Sequence, residues 1–381
     1  MKEIYLLGAT GSIGQQTLEI IRANPHDFIL KGASANDNLK LLIKIVEEFH
    51  PEVISVKDEM QKEVLETLFP KITIFIGEEG LTKLAAYNPD RDITLINALV
   101  GMVGLKPTLA AIKIDRNVLL ANKETLVVGG HLIKEALKNS SAKIYPIDSE
   151  HSAIWQALNG EGINTVKRLI ITASGGAFRD LTRDELKKVN VKEALNHPNW
   201  SMGNKITIDS ATMINKGFEI IEACYLFDID IDQVEAIIHK ESIIHSMVEF
   251  NDGSVMAQIA DHDMRLPIHY AMYYPKRKPS IANKFDLMRL NNLHFSPLDI
   301  NRYPCLGYAI EAFKKGGSLR TVLNSANEVA VKLFLEEKIS FLDIETIIKK
   351  EIDSHKIISN PTIDEIYAID KEIKDRIYQQ Y

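Results

Sequence analysis

A chain of 381 residues is long enough for two or three domains around a large core, and its 45% hydrophobic and 25% charged residues match an ordinary soluble globular protein. The net charge of −7 excludes the global basic field of a nucleic-acid binder, and no apolar run is long enough to span a membrane. Cys224 and Cys305 form neither a disulfide framework nor a metal-site spacing. The start Met1-Lys2-Glu3 runs into a strand without a secretory or transit signal, so the expected compartment is the bacterial cytoplasm.

Lys2 to Leu7 reads as a short apolar strand. Gly8-Ala9-Thr10-Gly11-Ser12-Ile13-Gly14 follows, and then a helical pattern that reaches Asn24 and stops at Pro25. The glycine spacing is G-x-x-G-x-x-G. In a strand–turn–helix setting such glycines let the backbone approach a pyrophosphate at a helix N-terminus. Strands are then expected at Phe28–Ala35, Val53–Val56, Ile72–Ile76, Ile93–Leu99, Val118–Ala121 and Lys143–Ile147, with helices between them. That alternation predicts a parallel, doubly wound sheet of the Rossmann type. The second strand ends in Ser34-Ala35-Asn36-Asp37-Asn38, where this fold meets the adenine ribose. An acid there takes a ribose 2′-hydroxyl and a base accommodates a 2′-phosphate. Asp37 leans towards NAD, while Asn36, Asn38 and Lys40 leave NADP open. Asn122-Lys123-Glu124 sits at a carboxyl strand end, the usual ligand crevice of an open α/β sheet.

Pro146-Ile147-Asp148-Ser149-Glu150-His151 joins the last of these strands to a helix start. In an extended segment side chains two apart point the same way, so Asp148 and Glu150 are expected to project together. Paired carboxylates repel unless a proton or cation lies between them, and a hard divalent ion such as Mg²⁺ or Mn²⁺ fits. The alternative is an acidic pair capping a solvated helix. Thr165–Ala173 is apolar and turns at Ser174-Gly175-Gly176-Ala177, which suits an anion nest or an ordinary glycine turn. His197-Pro198-Asn199-Trp200-Ser201-Met202-Gly203 combines an apolar cover with a hinge-like glycine, as closing loops do, or is a packed surface loop. A single helix is expected to open at Ile206–Ser210 and run to Ala223, with Asn215 and Glu219 on one face and Lys216 beside them. Gly217 costs about 1 kcal/mol in a helix interior, so a close approach of backbone or ligand is expected there. Ser174, Ser210, Asn215 and Lys216 would supply donors and a cation for a phosphate.

Further on, Glu249–Ile259 reads as a hairpin turning at Asn251-Asp252-Gly253, and Met264–Tyr273 as a helix. Residues 276–301 read as a connector. Tyr308–Lys315, Leu319–Glu337, Phe341–Glu351 and Thr362–Ile377 read as a C-terminal helical bundle. Tyr274 and Lys278 share the Tyr-x-x-x-Lys spacing of short-chain dehydrogenases, but Pro275 breaks the helix that spacing needs. His239 and His245 lack partners at zinc spacing, and packing or hydrogen bonding is expected of His239.

Gly8–Gly14, Leu120–Glu124, Pro146–His151, Thr172–Gly176, His197–Lys205, Asp209–Glu222, Ile238–Ser246 and Asp263–Ile268 together resemble the 1-deoxy-D-xylulose 5-phosphate reductoisomerase family, in order and over nearly the whole chain. The resemblance implies a homodimeric enzyme that uses NADPH and Mg²⁺ or Mn²⁺, with Co²⁺ an alternative. Its substrate would be a small sugar phosphate, with no nucleic acid or membrane as partner. It implies Asp148, Glu150 and Glu219 as metal ligands, acting in catalysis with Lys123. Implied substrate contacts are Lys123, Ser149, Ser174, His197, Ser210, Asn215 and Lys216, with Trp200 and Met202 in the covering flap. Implied cofactor contacts are Thr10, Gly11, Ser12, Ile13, Asn38, Asn122, Glu124 and Gly203. The expected division is a nucleotide domain over 1–147, an α/β catalytic domain over 148–275, a linker over 276–301 and the bundle over 302–381. Asn36-Asp37-Asn38 departs from the family, many of whose members have Gly and a base at the first two positions. On residues alone, a plain NAD(P)-dependent dehydrogenase with a structural metal, or a nucleotide sensor whose carboxylates only cap helices, stays open.

Overall fold

The computed structural model describes residues 1–381, the side chain of Arg289 excepted. In chain order the elements begin β1 (Lys2–Leu7), α1 (Ser12–Ala23), β2 (Phe28–Ser34), α2 (Leu39–Phe49), β3 (Val53–Val56), α3 (Glu59–Leu68), β4 (Thr73–Ile76) and α4 (Gly77–Ala85). They continue with β5 (Ile93–Asn97), α5 (Leu105–Lys113), β6 (Val118–Leu120), α6 (Lys123–Lys138), β7 (Ile144–Pro146) and α7 (Ser149–Ala157). After these come β8 (Val166–Ala173), α8 (Val191–Ala194), α9 (Asn204–Thr212), α10 (Ile214–Phe227), β9 (Val234–His239), β10 (Ile244–Phe250), β11 (Val255–Ile259), α11 (Arg265–Tyr273) and β12 (Phe295–Pro297). The chain closes with α12 (Pro304–Lys315), α13 (Leu319–Leu335), α14 (Phe341–Ser354) and α15 (Ile363–Tyr378).

Two compact units form. The first comprises Met1–Leu126, His131–Ser152 and Asp263–Asn283, the second Val127–Gly130, Ala153–His262 and Lys284–Tyr381. The first unit holds a seven-stranded sheet in the order β4-β3-β2-β1-β5-β6-β7, every pair parallel. Its inner strands are largely buried on both faces, so they read as near-continuous apolar runs such as Val53-Ile54-Ser55-Val56. The order reverses between β1 and β5, and ligands of such sheets bind beyond the carboxyl ends at that point. The chain turns there at Gly8, whose φ is +79° and whose absent Cβ would lie 2.5 Å from the Ala98 carbonyl oxygen. α11 packs on α1, and it and the segment after it are tied to the N-terminal ends of β1 and β2. Tyr273 donates to Asp27 at 2.6 Å, Lys278 pairs with Asp27 at 2.9 Å, and Lys2 Nζ donates to Met272 O at 3.0 Å. Lys278 is thus a structural lysine.

The second unit is built on a mixed sheet in the order β11-β10-β8-β9-β12, parallel only at β8–β9. Its core joins Leu169 and Ile171 of β8, Val248 and Phe250 of β10, Ile220 and Ala223 of α10, and Leu306 of α12. The expected connector over 276–301 contains β12, a three-residue edge strand on β9. His239 is buried there, stacked on Phe295, with its ring nitrogen 3.1 Å from His294 O. The helix expected from residue 206 to 223 is two helices, because Met213 takes a left-handed conformation at φ +62° between α9 and α10. Cys224 and Cys305 are free and buried.

Gly217 is explained by packing between helices. A Cβ at this position would lie 2.4 Å from the Ala309 Cβ of α12. Gly217→Ala is therefore expected to destabilise the fold by about 1–3 kcal/mol through overpacking, although alanine is the better helix former. Thermal unfolding checks this, and adding Ala309→Gly should recover most of the loss. A single variant as stable as the parent would show that α10 and α12 can separate freely.

Candidate active site

The dinucleotide turn is set by close packing. A Cβ on Gly14 would lie 2.2 Å from Gly8 O and 2.7 Å from the Ala9 backbone, so only glycine lets α1 start this near β1. Gly8 N donates to Ser34 Oγ at 2.9 Å and Ala9 N to Ser34 O at 2.8 Å, which fixes the turn to the end of β2. Gly11 caps α1 without a side-chain hydrogen bond, and the first turn carries no acid. Thr10, Gly11, Ser12 and Ile13 thus place a helix N-terminus at the switch point with no anion of their own, an arrangement that fits a pyrophosphate. Asn38 caps α2, its side chain accepting from Leu41 N at 3.1 Å, and remains exposed.

Asn122 is buried at the start of α6. Its Oδ1 accepts from Thr125 N at 3.0 Å, and its Nδ2 donates to Leu99 O at 3.0 Å and Gly101 O at 2.8 Å. Its side chain therefore locks the β5 and β6 ends together. Glu124 lies buried beside it. Lys123, 8% exposed, reaches Asp148, its Nζ 2.9 Å from Oδ2.

Asp148 and Glu150 do converge, but not by strand alternation. α7 begins at Ser149, so Glu150 stands in its first turn and Asp148 immediately precedes it. Ser149 N donates to Asp148 Oδ1 at 3.0 Å and Ser149 Oγ to Glu150 Oε2 at 2.7 Å. Carboxylate oxygens of Asp148 and Glu150 lie within 4.8 Å of one another. The pair stands at the start of α7, where the helix dipole favours negative charge, and offers hard oxygen donors.

In the second unit Ser174, Gly175 and Gly176 follow β8, with φ of +85° and +70° at the glycines. Gly176 has no room for a Cβ, which would fall 2.6 Å from Ala211 Cα and 2.7 Å from Ser210 O, so the turn packs onto α9 at Ser210. Gly176 N donates to Ser174 Oγ at 3.1 Å, so this N–H is engaged within the turn. His197 Nδ1 accepts from Trp200 N at 2.9 Å and Asn199 N at 3.2 Å, while Nε2 lies 2.9 Å from Ser174 Oγ. With Nδ1 accepting, the neutral ring carries its proton on Nε2 and donates it to Ser174. The Ser174 hydroxyl then keeps its own proton for another acceptor.

Burial, with the nearby charges of Arg179 and His262, pushes the His197 imidazole down to about 4. The unfolded ring binds a proton below its ordinary value of 6.5 that the folded ring refuses. Its contribution to stability is therefore present above that value and lost as pH falls towards about 4. His197→Gln is expected to flatten the acid side of a plot of Tm against pH. An unchanged slope would mean that His197 protonates as readily folded as unfolded.

The loop from His197 to Gly203 is held by contacts that have no signal in the sequence. Trp200 is half-buried edge-on to His262, centroids 5.1 Å apart, and lies 5.9 Å from the His245 ring. Asn199 Nδ2 donates to Lys240 O at 2.7 Å and Ser242 Oγ at 2.8 Å. Arg179 donates to Ser174 O at 3.2 Å and Lys240 O at 2.9 Å. Met202 is half-buried, and Gly203 caps α9, exposed, with nothing within 4 Å of where a Cβ would stand. On α10 the Glu219 carboxylate, 1% exposed, accepts from Asn215 Nδ2 and from Lys216 Nζ. Asp209 is likewise buried, pairing with Lys205 at 2.7 Å and accepting from Asn327 at 2.8 Å. Asn327 lies on α13, in a bundle whose sequence showed no site signal.

Three comparisons bear on these residues. Models of the 1-deoxy-D-xylulose 5-phosphate reductoisomerase family match residues 4–130, and models of its C-terminal domains match residues 144–227 and 259–376. The chain is 50% identical over 381 residues to the 1-deoxy-D-xylulose 5-phosphate reductoisomerase of Bacillus cereus strain Q1, covering 100% of each. It is 52% identical over 376 residues to that of Geobacillus kaustophilus, covering 98% of each. Among solved structures, a DOX-P reductoisomerase in complex with NADPH, fosmidomycin and magnesium superposes with a TM-score of 0.93 at 38% identity, covering 100% of this chain and 98% of that one. The Zymomonas mobilis enzyme in complex with NADPH superposes with a TM-score of 0.91 at 38% identity, covering 98% and 97%.

Proposed function

The chain belongs to the 1-deoxy-D-xylulose 5-phosphate reductoisomerase family, and on that premise we propose how its own residues divide the work. The enzyme rearranges 1-deoxy-D-xylulose 5-phosphate in a divalent-metal-dependent reaction and reduces the product with NADPH to 2-C-methyl-D-erythritol 4-phosphate, in the non-mevalonate route to isoprenoid precursors. A bound Mg²⁺ or Mn²⁺ supplies Lewis acidity to the ketose oxygens, and NADPH supplies the hydride.

Asp148, Glu150 and Glu219 hold the ion. The observation that carries this reading is the convergence of Asp148 and Glu150, whose carboxylate oxygens lie within 4.8 Å of one another and would repel without a cation between them. Asp148 and Glu219 each also meet a lysine, Lys123 and Lys216, with which the ion would share them, and all the donors are hard oxygens. Ser174, with Ser210, Asn215 and Lys216, holds the substrate phosphate. His197 orients the Ser174 hydroxyl by donating to it, and Trp200 and Met202 exclude water from above. Ser149 orients Glu150 and contacts substrate. Lys123 contacts substrate and moves a proton to or from its oxygens.

Thr10, Gly11, Ser12 and Ile13 hold the cofactor pyrophosphate, and Asn38, Asn122, Glu124 and Gly203 complete the cofactor site. For Asn122 the backbone is the contacting group, because its side chain is committed to the β5–β6 turn. In functional terms, residues 1–147 carry the cofactor, 148–275 the metal, substrate and flap, 276–301 a connector and 302–381 a supporting bundle. A cytoplasmic homodimer completes the proposal. In its favour, Val255, Met256 and Ile259 of the edge strand β11 are apolar and 49%, 53% and 40% exposed, and among the described residues no helix is long and apolar enough to cross a membrane.

The test follows loss of NADPH absorbance with 1-deoxy-D-xylulose 5-phosphate, with and without Mg²⁺ or Mn²⁺, and identifies the product by NMR. Metal-dependent formation of the branched polyol phosphate is the expected result. Hydride transfer without carbon rearrangement would overturn the assignment of these residues.

A further inference from the structure

The end of β2 carries an acid, Asp37, where this fold meets the adenine ribose, and the structure gives that acid a partner. Lys57 follows β3, which pairs in parallel with β2 from Gly32 to Ser34. Its Nζ lies 2.7 Å from Asp37 Oδ1, and Asn36 Nδ2 donates to Asp37 Oδ2 at 2.6 Å. Gln61, 6% exposed, ties both segments down. Its Nε2 donates to Asn36 O at 2.8 Å, and its Oε1 accepts from Lys57 N at 3.3 Å. The side-chain ends stay open to solvent, at 50% for Lys57 and 72% for Asp37. The same β2 end anchors the dinucleotide turn through Ser34. Acid and base therefore stand side by side where a doubly wound sheet receives the adenine ribose.

We propose that Asp37 and Lys57 together set the cofactor specificity: Lys57 is the cation that receives the 2′-phosphate of NADPH, and Asp37 is the counter-ion that limits this preference. Asp37 competes with the phosphate for Lys57 and offers the ribose hydroxyls of NADH an acceptor. The hydrogen bond from Lys57 holds the Asp37 carboxyl below its ordinary range, so Asp37 is an anion at neutral pH. A dianionic phosphate brought to this corner meets one positive and one negative side chain. Discrimination against NADH is consequently weaker than a lone lysine would provide.

The inference rests on the NADPH reading, and two variants with opposite expected signs test it. Dissociation constants of NADPH and NADH are measured by cofactor fluorescence on the metal-free enzyme without substrate, and kinetic constants on the complete reaction. Asp37→Asn is expected to raise the ratio Kd(NADH)/Kd(NADPH) about tenfold, and Lys57→Gln to lower it about tenfold. In turnover, the change should fall on KM for the cofactor and not on kcat, because the 2′-phosphate is remote from the hydride. If the parent binds NADPH and both variants keep its ratio, the assignment of the pair is overturned while the family reading stands. If the folded parent binds neither nucleotide, both fall together.

Discussion

Glu219→Gln is expected to lower kcat/KM by about a thousandfold at saturating metal and to weaken activation by Mg²⁺ or Mn²⁺. The carboxylate is buried on α10, with Asn215 and Lys216 both donating to it. Glutamine keeps the volume but removes the charge and turns one acceptor into a donor facing donors. Lys216, whose side chain is only 5% exposed, loses this counter-charge, and breaking such a pair costs roughly 3 kcal/mol of folding stability. Stability and activity must therefore be separated. The double variant Glu219→Gln, Lys216→Met removes both charges and should recover much of the lost Tm. It should recover none of the turnover, because it lacks both the metal ligand and the phosphate cation. Thermal unfolding of the metal-free proteins and metal titrations of turnover read the two effects. Recovery of turnover in the double variant would reduce Glu219 to a structural partner of Lys216.

How the sequence announces these features varies with their physics. The parallel sheet is legible because strands buried on both faces are continuous apolar runs, as in Val53–Val56, and because glycines at 8, 11 and 14 need a tight turn before a helix. The break between α9 and α10 is not legible. Met213 adopts φ +62° with no glycine, proline or asparagine to mark it, so one helix was the natural reading. β12 escapes notice because Phe295-Ser296-Pro297 is three exposed residues long, and only its pairing with β9 makes it a strand.

Asp148 and Glu150 are expected to project together from a strand, and their oxygens do converge, but for a different reason. Asp148 and Glu150 meet at a helix start, where the strand period of two does not apply. Gly217 needed a neighbour, and the sequence could not say whether that was a ligand or Ala309. Side-chain commitments made through space, such as Asn122 to the β5 end or Asn327 to Asp209, have no local pattern at all.

Lys123→Met should separate two roles that a simple loss would confuse. The ammonium lies on Asp148 Oδ2 at 2.9 Å, with side-chain exposures of 10% and 17%. Asp148 is proposed as a metal ligand, so Lys123 and the divalent ion draw on the same carboxylate. Removing the lysine removes a competing positive charge, and at an effective dielectric of about 20 a unit charge a few ångströms away is worth several kcal/mol before solvent screening reduces it. The variant is therefore expected to reach half-maximal activation at a metal concentration several-fold lower than the parent. At the same time kcat should fall by about a hundredfold or more, because the variant lacks the group assigned to substrate contact and proton movement. Methionine preserves the length and apolar body of the buried side chain, so α6 keeps its packing below Asn122. Metal titrations of initial rate, with binding of Mn²⁺ followed by electron paramagnetic resonance, give the two numbers independently. Tighter metal with slower turnover is the signature of a lysine that balances Asp148 and also acts on substrate. A fall in both metal affinity and kcat would instead make Lys123 a support for the geometry of the carboxylates, and would leave the proton step to another group.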